Sequence, residues 1–390
     1  MNVLVVSHFY RPYSKVAAQR INYLTDYLDK LNHKVTVIKV SNEVYGNNLT
    51  KEEINLANTI KIDSIEAESK VLKIKPLIKL IYIIKYALRI NHHLKNKNID
   101  FLYLNGGPFY YFPLARFFKW KYKTKYVLDF RDPWVVGHYN RSSNFFSKCV
   151  EKICLKGADL VVNVTGSAMK KQIKAHQIKK SNKFIVIPNG YDESKVPKLN
   201  DNFENSNKNQ GKLIIGIFGK FSHYKESSVD MLLEAITELS IKNKIKIVHI
   251  GEKEKEKYLI EKSKKYGLEN ILEFNGVLPY EEGIKRLKEC NVLMLNHRQP
   301  EMVGTKIYDY IYLNKPIVAF PTQSNDEISL LLSNFSNSFL VYSKEELVVS
   351  LKRIVEHNLK LLEKEINVKN YSREKQTKKL VDKLIEIEKR

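Results

Sequence analysis

The chain has 390 residues, 43% hydrophobic and 28% charged, with 15 Gly and 11 Pro; that is a globular composition, which excludes collagen-like and largely disordered readings, and the length is two to three times a domain of ~150 residues. Its three cysteines, Cys149, Cys154 and Cys290, are too few for a disulfide framework and lack the second pair of a zinc site, which points to a reducing compartment. The 66 Lys and Arg against 43 Asp and Glu give +23, concentrated at one end: residues 1–190 carry 32 basic and 13 acidic side chains, residues 191–390 carry 34 and 30.

Such a field attracts any polyanion, whether nucleic acid, anionic headgroup or phosphorylated substrate, and charge alone does not choose among them. Asn2 to Ser7 reads as a buried strand with no basic leader before it, and nowhere do ~18 apolar residues follow one another; the expectation is a cytoplasmic protein, neither exported nor membrane-spanning. Ala17, Ile21, Leu24, Leu28 and Leu31 then recur at helical spacing before a strand at Lys34 to Val40.

From Leu77 to Leu94 a helix is expected with Lys79, Lys85, Arg89, His92 and His93 on one face and Leu80, Ile81, Ile83, Ile84, Leu88, Ile90 and Leu94 on the other. A surface helix covering a sheet has this pattern, and so does a segment attached to an anionic membrane; Lys70, Lys73, Lys75, Lys95 and Lys97 lie nearby. Apolar runs at Phe101 to Leu104, Tyr126 to Phe130, Leu160 to Val164 and Phe184 to Ile187 alternate with helical or polar stretches, the pattern of a parallel sheet covered on both faces.

Between Asp192 and Lys212 the sequence turns polar and Asn-rich, as an interdomain connection does. The α/β pattern restarts with strands expected at Leu213 to Phe218, Ile245 to Ile250, Ile271 to Phe274, Val292 to Leu295 and Pro316 to Phe320, and Ser372 to Arg390 reads as a terminal amphipathic helix.

The chemistry is densest between Pro300 and Pro321. There Gly304-Thr305 opens a helix that Asn314 and Pro316 close, and a helix start offers unpaired N–H groups and a positive dipole end to a phosphate. Glu301 precedes that helix and Asp309 lies within it. Two carboxylates flanking a bound anion suit a sugar and a ribose on either side of a diphosphate, because they accept hydrogen bonds from hydroxyls. A helix cap beside a surface acid gives the same residues without a ligand.

On these residues the chain resembles a retaining glycosyltransferase of the GT-B fold, from the large family 4 group. The family's Glu, seven residues and second Glu stand here as Glu301 and Asp309, followed by Tyr310-Ile311-Tyr312-Leu313-Asn314-Lys315-Pro316. The resemblance spans essentially the whole chain and implies two Rossmann-like α/β domains facing across a cleft. These would be an acceptor-side domain at 1–190, a linker at 191–212, a nucleotide-sugar domain at 213–371, and a helix at 372–390 packing back on the first domain.

By that resemblance Glu301 contacts the donor sugar, and Asp309, one methylene shorter than the usual Glu, the ribose. Gly219-Lys220-Phe221-Ser222-His223-Tyr224-Lys225 resembles the family's Gly-Arg-Leu…Lys loop, so Lys220 and Lys225 are assigned to the diphosphate with Gly304, Thr305 and Lys306. Lys220 keeps the charge of the usual Arg but loses its planar fork. Arg131-Asp132-Pro133-Trp134 is similar to a variant in one branch of the family, with Arg131 standing where other branches place a His beside the sugar; Arg131 and Asp132 join Glu301 as catalytic candidates, while an Arg–Asp pair that fixes a loop is the structural alternative.

Val186-Ile187-Pro188-Asn189-Gly190 is similar to the family's Ile-Pro-Asn-Gly stretch. The loop after the first strand departs from the family: it has no Gly-Gly pair, leaving Lys15, Arg20 and Asn189 as candidate acceptor or phosphate contacts.

The implied activity is transfer of a sugar from a nucleotide diphosphate-sugar, a UDP-sugar as first guess, to an acceptor hydroxyl with retention (EC 2.4), in bacterial surface polysaccharide or lipid-linked glycan synthesis. No bound cofactor is expected, and no metal, since the cations neutralise the diphosphate and no Asp-X-Asp triplet occurs. The expected partners are the donor, a glycan or lipid-linked acceptor and an anionic membrane surface at the inner face of the plasma membrane, not nucleic acid. The alternatives are a GT-B-like sugar-nucleotide epimerase, which would share the phosphate site, and a non-catalytic basic polyanion-binding protein.

Overall fold

Short runs of Val, Ile and Leu become parallel strands here because helices cover both of their faces and shield their apolar side chains from water. The computed structural model describes residues 1–45, 49, 54–55, 63–68, 75–137, 145–179, 181–196, 213–239, 244–356 and 368–390. Two units are formed, Met1–Asn189 with Arg373–Arg390, and Gly190–Ser372. Of the connection expected at 191–212, residues 197–212 lie outside the described residues, as do Lys70 and Lys73, while Tyr191 and Val196 are buried in a core of the second unit.

The first unit holds a parallel sheet of order β3-β2-β1-β4-β5-β6-β7. Its strands are β1 (Asn2–Ser7), β2 (Lys34–Val40), β3 (Asp63–Glu68), β4 (Phe101–Asn105), β5 (Lys125–Phe130), β6 (Leu160–Asn163) and β7 (Phe184–Val186). Helix α1 (Val16–Lys30) covers one face; α2 (Lys75–Asn96), α3 (Phe112–Tyr122) and α4 (Phe145–Gly157) form a layer on the other, followed by α5 (Gly166–His176). Alternate residues of one strand feed opposite cores: Leu4 and Val6 pack with α2–α4, Val3 and Val5 with α1.

The last helix, α12 (Arg373–Glu388), sets Leu380, Val381, Leu384 and Ile387 into the α1-side core. Lys125 Nζ secures its end by donating to the carbonyl of Ile387 at 2.6 Å.

The second unit repeats the architecture with a parallel sheet β10-β9-β8-β11-β12-β13. Its strands are β8 (Leu213–Phe218), β9 (Ile245–Ile250), β10 (Leu272–Phe274), β11 (Val292–Asn296), β12 (Ile317–Phe320) and β13 (Ser338–Leu340). The helices are α6 (Glu226–Glu238), α7 (Lys257–Lys265), α8 (Tyr280–Lys288), α9 (Lys306–Leu313), α10 (Glu327–Leu332) and α11 (Lys344–Glu356). On entering this unit Tyr191 pairs with Ser372, where the chain leaves it.

Two edge strands, β3 and β13, were not expected; Asp-Ser-Ile-Glu-Ala-Glu and Ser-Phe-Leu are too polar or too short to stand out as apolar runs. The expected face of α2 is also corrected. Tyr86, Ile90, His93 and Leu94 are its buried side, whereas Leu80, Ile84 and Leu88 point to solvent. Helical periodicity shows that a stripe exists, not which of two apolar stripes the sheet takes.

Candidate functional site

In an open parallel sheet, ligands bind beyond the carboxyl ends of the strands where the strand order reverses. In the second unit that point lies between β8 and β11, which pair with each other while the chain runs outward to β10 on one side and β13 on the other. The loop Gly219–Lys225 leaves β8 there, and residues 297–305 leave β11 and lead into α9. Gly219 has φ +71°, a conformation that costs a side chain roughly 1–2 kcal/mol. At both Gly219 and Gly304 an added Cβ would meet nothing within 4 Å, so main chain faces open space at each.

The Gly219 loop is held by its own backbone. Glu256 accepts from the N–H groups of Phe221 at 2.7 Å and Ser222 at 2.8 Å. His249 Nε2 donates to the Gly219 carbonyl at 2.8 Å, and Asn296 Nδ2 donates to those of Phe221 and Lys225, both at 2.9 Å. Burial opposes ionisation of Glu256, yet the His249 ring 3.8 Å away and the hydrogen bonds from Phe221 and Ser222 outweigh it and keep the carboxyl below its ordinary value.

Lys306 Nζ donates to the carbonyls of Phe218 at 3.2 Å and Lys220 at 2.9 Å and lies 5.3 Å from the centre of the Tyr224 ring. Burial pulls this ammonium down to about 8, with the Glu256 carboxylate opposing. Lys306 thus braces the loop. Lys220 and Lys225, the other expected cations, are half-buried, and neither ammonium has a hydrogen-bond or ion-pair partner among the described residues.

Helix α9 is anchored through Tyr310, whose hydroxyl accepts from the Phe218 N–H at 3.0 Å and donates to the Met294 carbonyl at 3.2 Å, tying the helix to β8 and β11. Thr305 stands at the N-cap without a side-chain cap bond, and Asn314 ends the helix at φ +51°. Asp309 is buried in the first turn and accepts from the Tyr280 hydroxyl. Glu301 is half-buried on the segment before the helix. Seven of the expected residues (Lys220, Lys225, Glu301, Gly304, Thr305, Lys306 and Asp309) therefore lie on two segments that leave neighbouring strands. Tyr280, Asn296, His249 and Glu256, which brace them, carry no motif and were not expected; Tyr310 stands in the motif but was given no role there.

The first unit has its own switch point between β1 and β4, whose ends are joined by Asn105 Nδ2 donating to Ser7 Oγ at 2.9 Å. The glycine pair absent after β1 occurs after β4. Gly106 donates to the Asp129 carbonyl at 2.8 Å, and a Cβ on Gly107, at φ +86°, would lie 3.1 Å from Arg131 Nη2. Arg131 bonds Asp132 Oδ2 through Nε at 3.1 Å and Nη2 at 3.0 Å. Trp134 stacks on Phe109 at 5.4 Å, and the Val135 N–H donates to Glu151 at 3.1 Å. Glu151 is fully buried and also meets Gln172 Nε2 at 2.7 Å and His176 Nε2 at 3.0 Å, so the Arg131 loop is built on a buried polar cluster.

Arg20 is drawn into the scaffold. Its Nε donates to Asp129 at 2.9 Å and its Nη1 to the Ile187 carbonyl at 2.7 Å, while Tyr103 donates to the same Asp129 oxygen. Lys15 stands exposed at the N-cap of α1, and Asn189 is half-buried at the end of the unit.

Two family models match the chain in succession: Glycosyltransferase Family 4 over residues 17–195 and Glycosyl transferases group 1 over residues 198–375. No curated protein matches it in sequence. Among solved structures it is similar to a glycosyltransferase from Rickettsia africae (18% identity, TM-score 0.71, covering 99% of this chain and 98% of that one). It is also similar to HepE from Anabaena in complex with UDP (15%, 0.65, 100% and 98%). A UDP-N-acetylglucosamine 2-epimerase from Listeria monocytogenes has the same fold (12%, 0.61, 97% and 94%), so fold alone does not separate transferase from epimerase. The family models do separate them: matched in turn over both halves, the chain belongs to the group 1, family 4 glycosyltransferases of the GT-B fold.

Proposed function

We propose that the protein transfers a sugar, with retention of anomeric configuration, from a UDP-sugar to a hydroxyl of a glycan or lipid-linked acceptor, in the synthesis of a bacterial surface polysaccharide or lipid-linked glycan on the cytoplasmic side of the membrane. The observation that carries this reading is the second unit's switch point, where Gly219 and Gly304 leave main chain open and Lys220 and Lys225 add charge. A diphosphate there would meet the dipole of α9 and two ammonium groups, and these stabilise the negative charge that grows as the glycosidic bond breaks. The compensating positive charge comes from the protein, so the reading needs neither a metal ion nor a bound cofactor. UDP is favoured because HepE, similar over its whole length, is known with UDP bound.

In this reading Asp309 takes the ribose hydroxyls, Glu301 the donor sugar, Gly304 and Thr305 the diphosphate, and Lys306 sets the loop that bears Lys220. Arg131 and Asp132 act on the sugar and acceptor, and Lys15 and Asn189 remain acceptor contacts. Thermal stabilisation by UDP, GDP, ADP and their sugars tests it, since a ligand of the native state raises its melting point. Stabilisation by UDP compounds alone is expected, with transfer of the sugar to a hydroxyl acceptor and an unchanged anomeric proton coupling in the product. Release of the sugar as its epimer, or indifference to every nucleotide, would reject it.

A further inference from the structure

The outer side of the α2–α3–α4 layer is both apolar and cationic. On α2, Leu80, Ile84 and Leu88 recur every four residues and all face solvent, Leu88 at 64% exposure. On α3, Phe117 and Trp120 stand together, their rings 6.1 Å apart and Trp120 69% exposed. Phe145 and Phe146, 83% and 72% exposed, open α4, and Ile153 continues its stripe. The layer is continuous: Asn91 of α2 accepts from Lys121 and Tyr122 of α3, and an open groove of about 420 Å³ between α3 and α4 is lined by Phe117, Trp120, Val150 and Ile153.

The three helices carry eleven Lys and Arg and a single acid, Glu151, which is buried. Arg89, Lys95, Arg116, Lys121, Lys148 and Lys156 are exposed among the apolar side chains. We propose that this layer is a docking surface for an anionic lipid bilayer, with Trp120, Phe117 and Phe146 entering the headgroup region and the surrounding cations meeting lipid phosphates.

Two other occupants fit less well. A second copy docked through the same face would set these cations against their own kind. Single-stranded nucleic acid needs flat rings to stack on, and Leu80, Ile84, Leu88 and Ile153 offer none. The inference deepens the lipid-linked acceptor reading, because it names the surface that would hold the enzyme where such an acceptor resides.

Flotation of the full chain with phosphatidylcholine vesicles, with and without phosphatidylglycerol, tests it. The protein should float with phosphatidylglycerol vesicles at low salt, be released by raised salt, and stay behind with phosphatidylcholine alone. Phe117→Ser/Trp120→Ser should weaken binding about tenfold or more at an unchanged melting point, and Arg116→Gln/Lys148→Gln about tenfold. No flotation of the wild type, or undiminished flotation of both variants, overturns the proposal. So does a wild-type dimer that the aromatic variant converts to monomer, since the occupant is then a second copy. UDP stabilisation measured on the same variants keeps the two readings apart: a protein that binds UDP but not vesicles rejects the surface alone, and one that floats but ignores UDP rejects the donor site alone.

Discussion

After β8 the chain turns through Gly219 into a loop held from its own backbone by Glu256, His249, Asn296 and Lys306. After β1, at the corresponding place in the first sheet, it runs through Phe9 and Tyr10 to Tyr13, with no glycine. There Phe9 and Tyr13 pack 5.1 Å apart, Tyr13 packs on Tyr45 at 5.0 Å, and Tyr45 donates to the His8 carbonyl at 2.8 Å. Burial pushes His8 down to about 4, so its ring is neutral at neutral pH, and the cation of this loop, Arg11, is paired with Asp26. One topology thus has two surfaces: an open cationic turn braced by charged side chains in the second unit, and an aromatic turn braced by tyrosine in the first. The proposed diphosphate site lies on the former.

The largest expected effect comes from removing the brace. Glu256→Ala strands the buried N–H groups of Phe221 and Ser222 and removes the negative charge that opposes the desolvation of Lys306; a loss of about 3–5 kcal/mol is expected of a broken buried network, read as a lower denaturation midpoint. Because the folded carboxyl titrates below the unfolded one, its contribution is complete above the unfolded value and is lost as pH falls through the folded one. The wild type should lose more stability than Glu256→Gln over that acid window, and equal slopes would reject this account of the loop.

Next in size is the contrast between units. Asp309→Ala should abolish stabilisation by UDP, as its carboxylate is the proposed ribose ligand. Arg131→Ala should leave that stabilisation intact and lower sugar transfer by about 10²-fold or more, the scale of losing one transition-state contact. If Arg131→Ala instead removes nucleotide binding, the division of labour between the units is wrong.

Much of this was legible in the sequence. The β8 loop and the entry to α9 stand out because open main chain and a helix start demand Gly219, Gly304 and Thr305, and because Lys220, Lys225, Glu301 and Asp309 keep fixed spacing around them. The brace was not legible: Glu256, His249 and Asn296 act on main-chain atoms 30 to 75 residues away, and nothing in the local pattern of a short 3₁₀ turn or a strand end records such a partner. Arg20 shows the converse. A cation in the first turns of α1 looks like a ligand contact until Asp129 and the Ile187 carbonyl, distant in sequence, are seen to engage it. The exposed stripe of α2 escaped for a third reason, since two apolar stripes on one helix cannot be ranked before the neighbouring helix is placed.

Lys306 supplies a pH test with two opposite signs. Its ammonium titrates at about 8 in the folded protein and near ~10.4 when unfolded, so the native state binds fewer protons between those values and this group makes stability rise with pH there. Affinity for UDP should move the other way, falling as pH climbs through about 8, because the loop that faces the diphosphate loses a charge. Lys306→Met should flatten both trends, which calorimetry and thermal melts at several pH values would read.

The smallest effect is expected at Gly219. Gly219→Ala has room for its methyl group, so only the left-handed φ is penalised, about 1–2 kcal/mol. If the turn keeps its shape, UDP affinity should fall only as far as the methyl group crowds the diphosphate, and Gly219→Val should fall further, with a larger loss of stability because a β-branched residue tolerates positive φ less well than alanine. Equal affinities for wild type, alanine and valine would mean that the open space above this turn is not where the diphosphate sits, leaving Gly304 and the start of α9 as the remaining place for it.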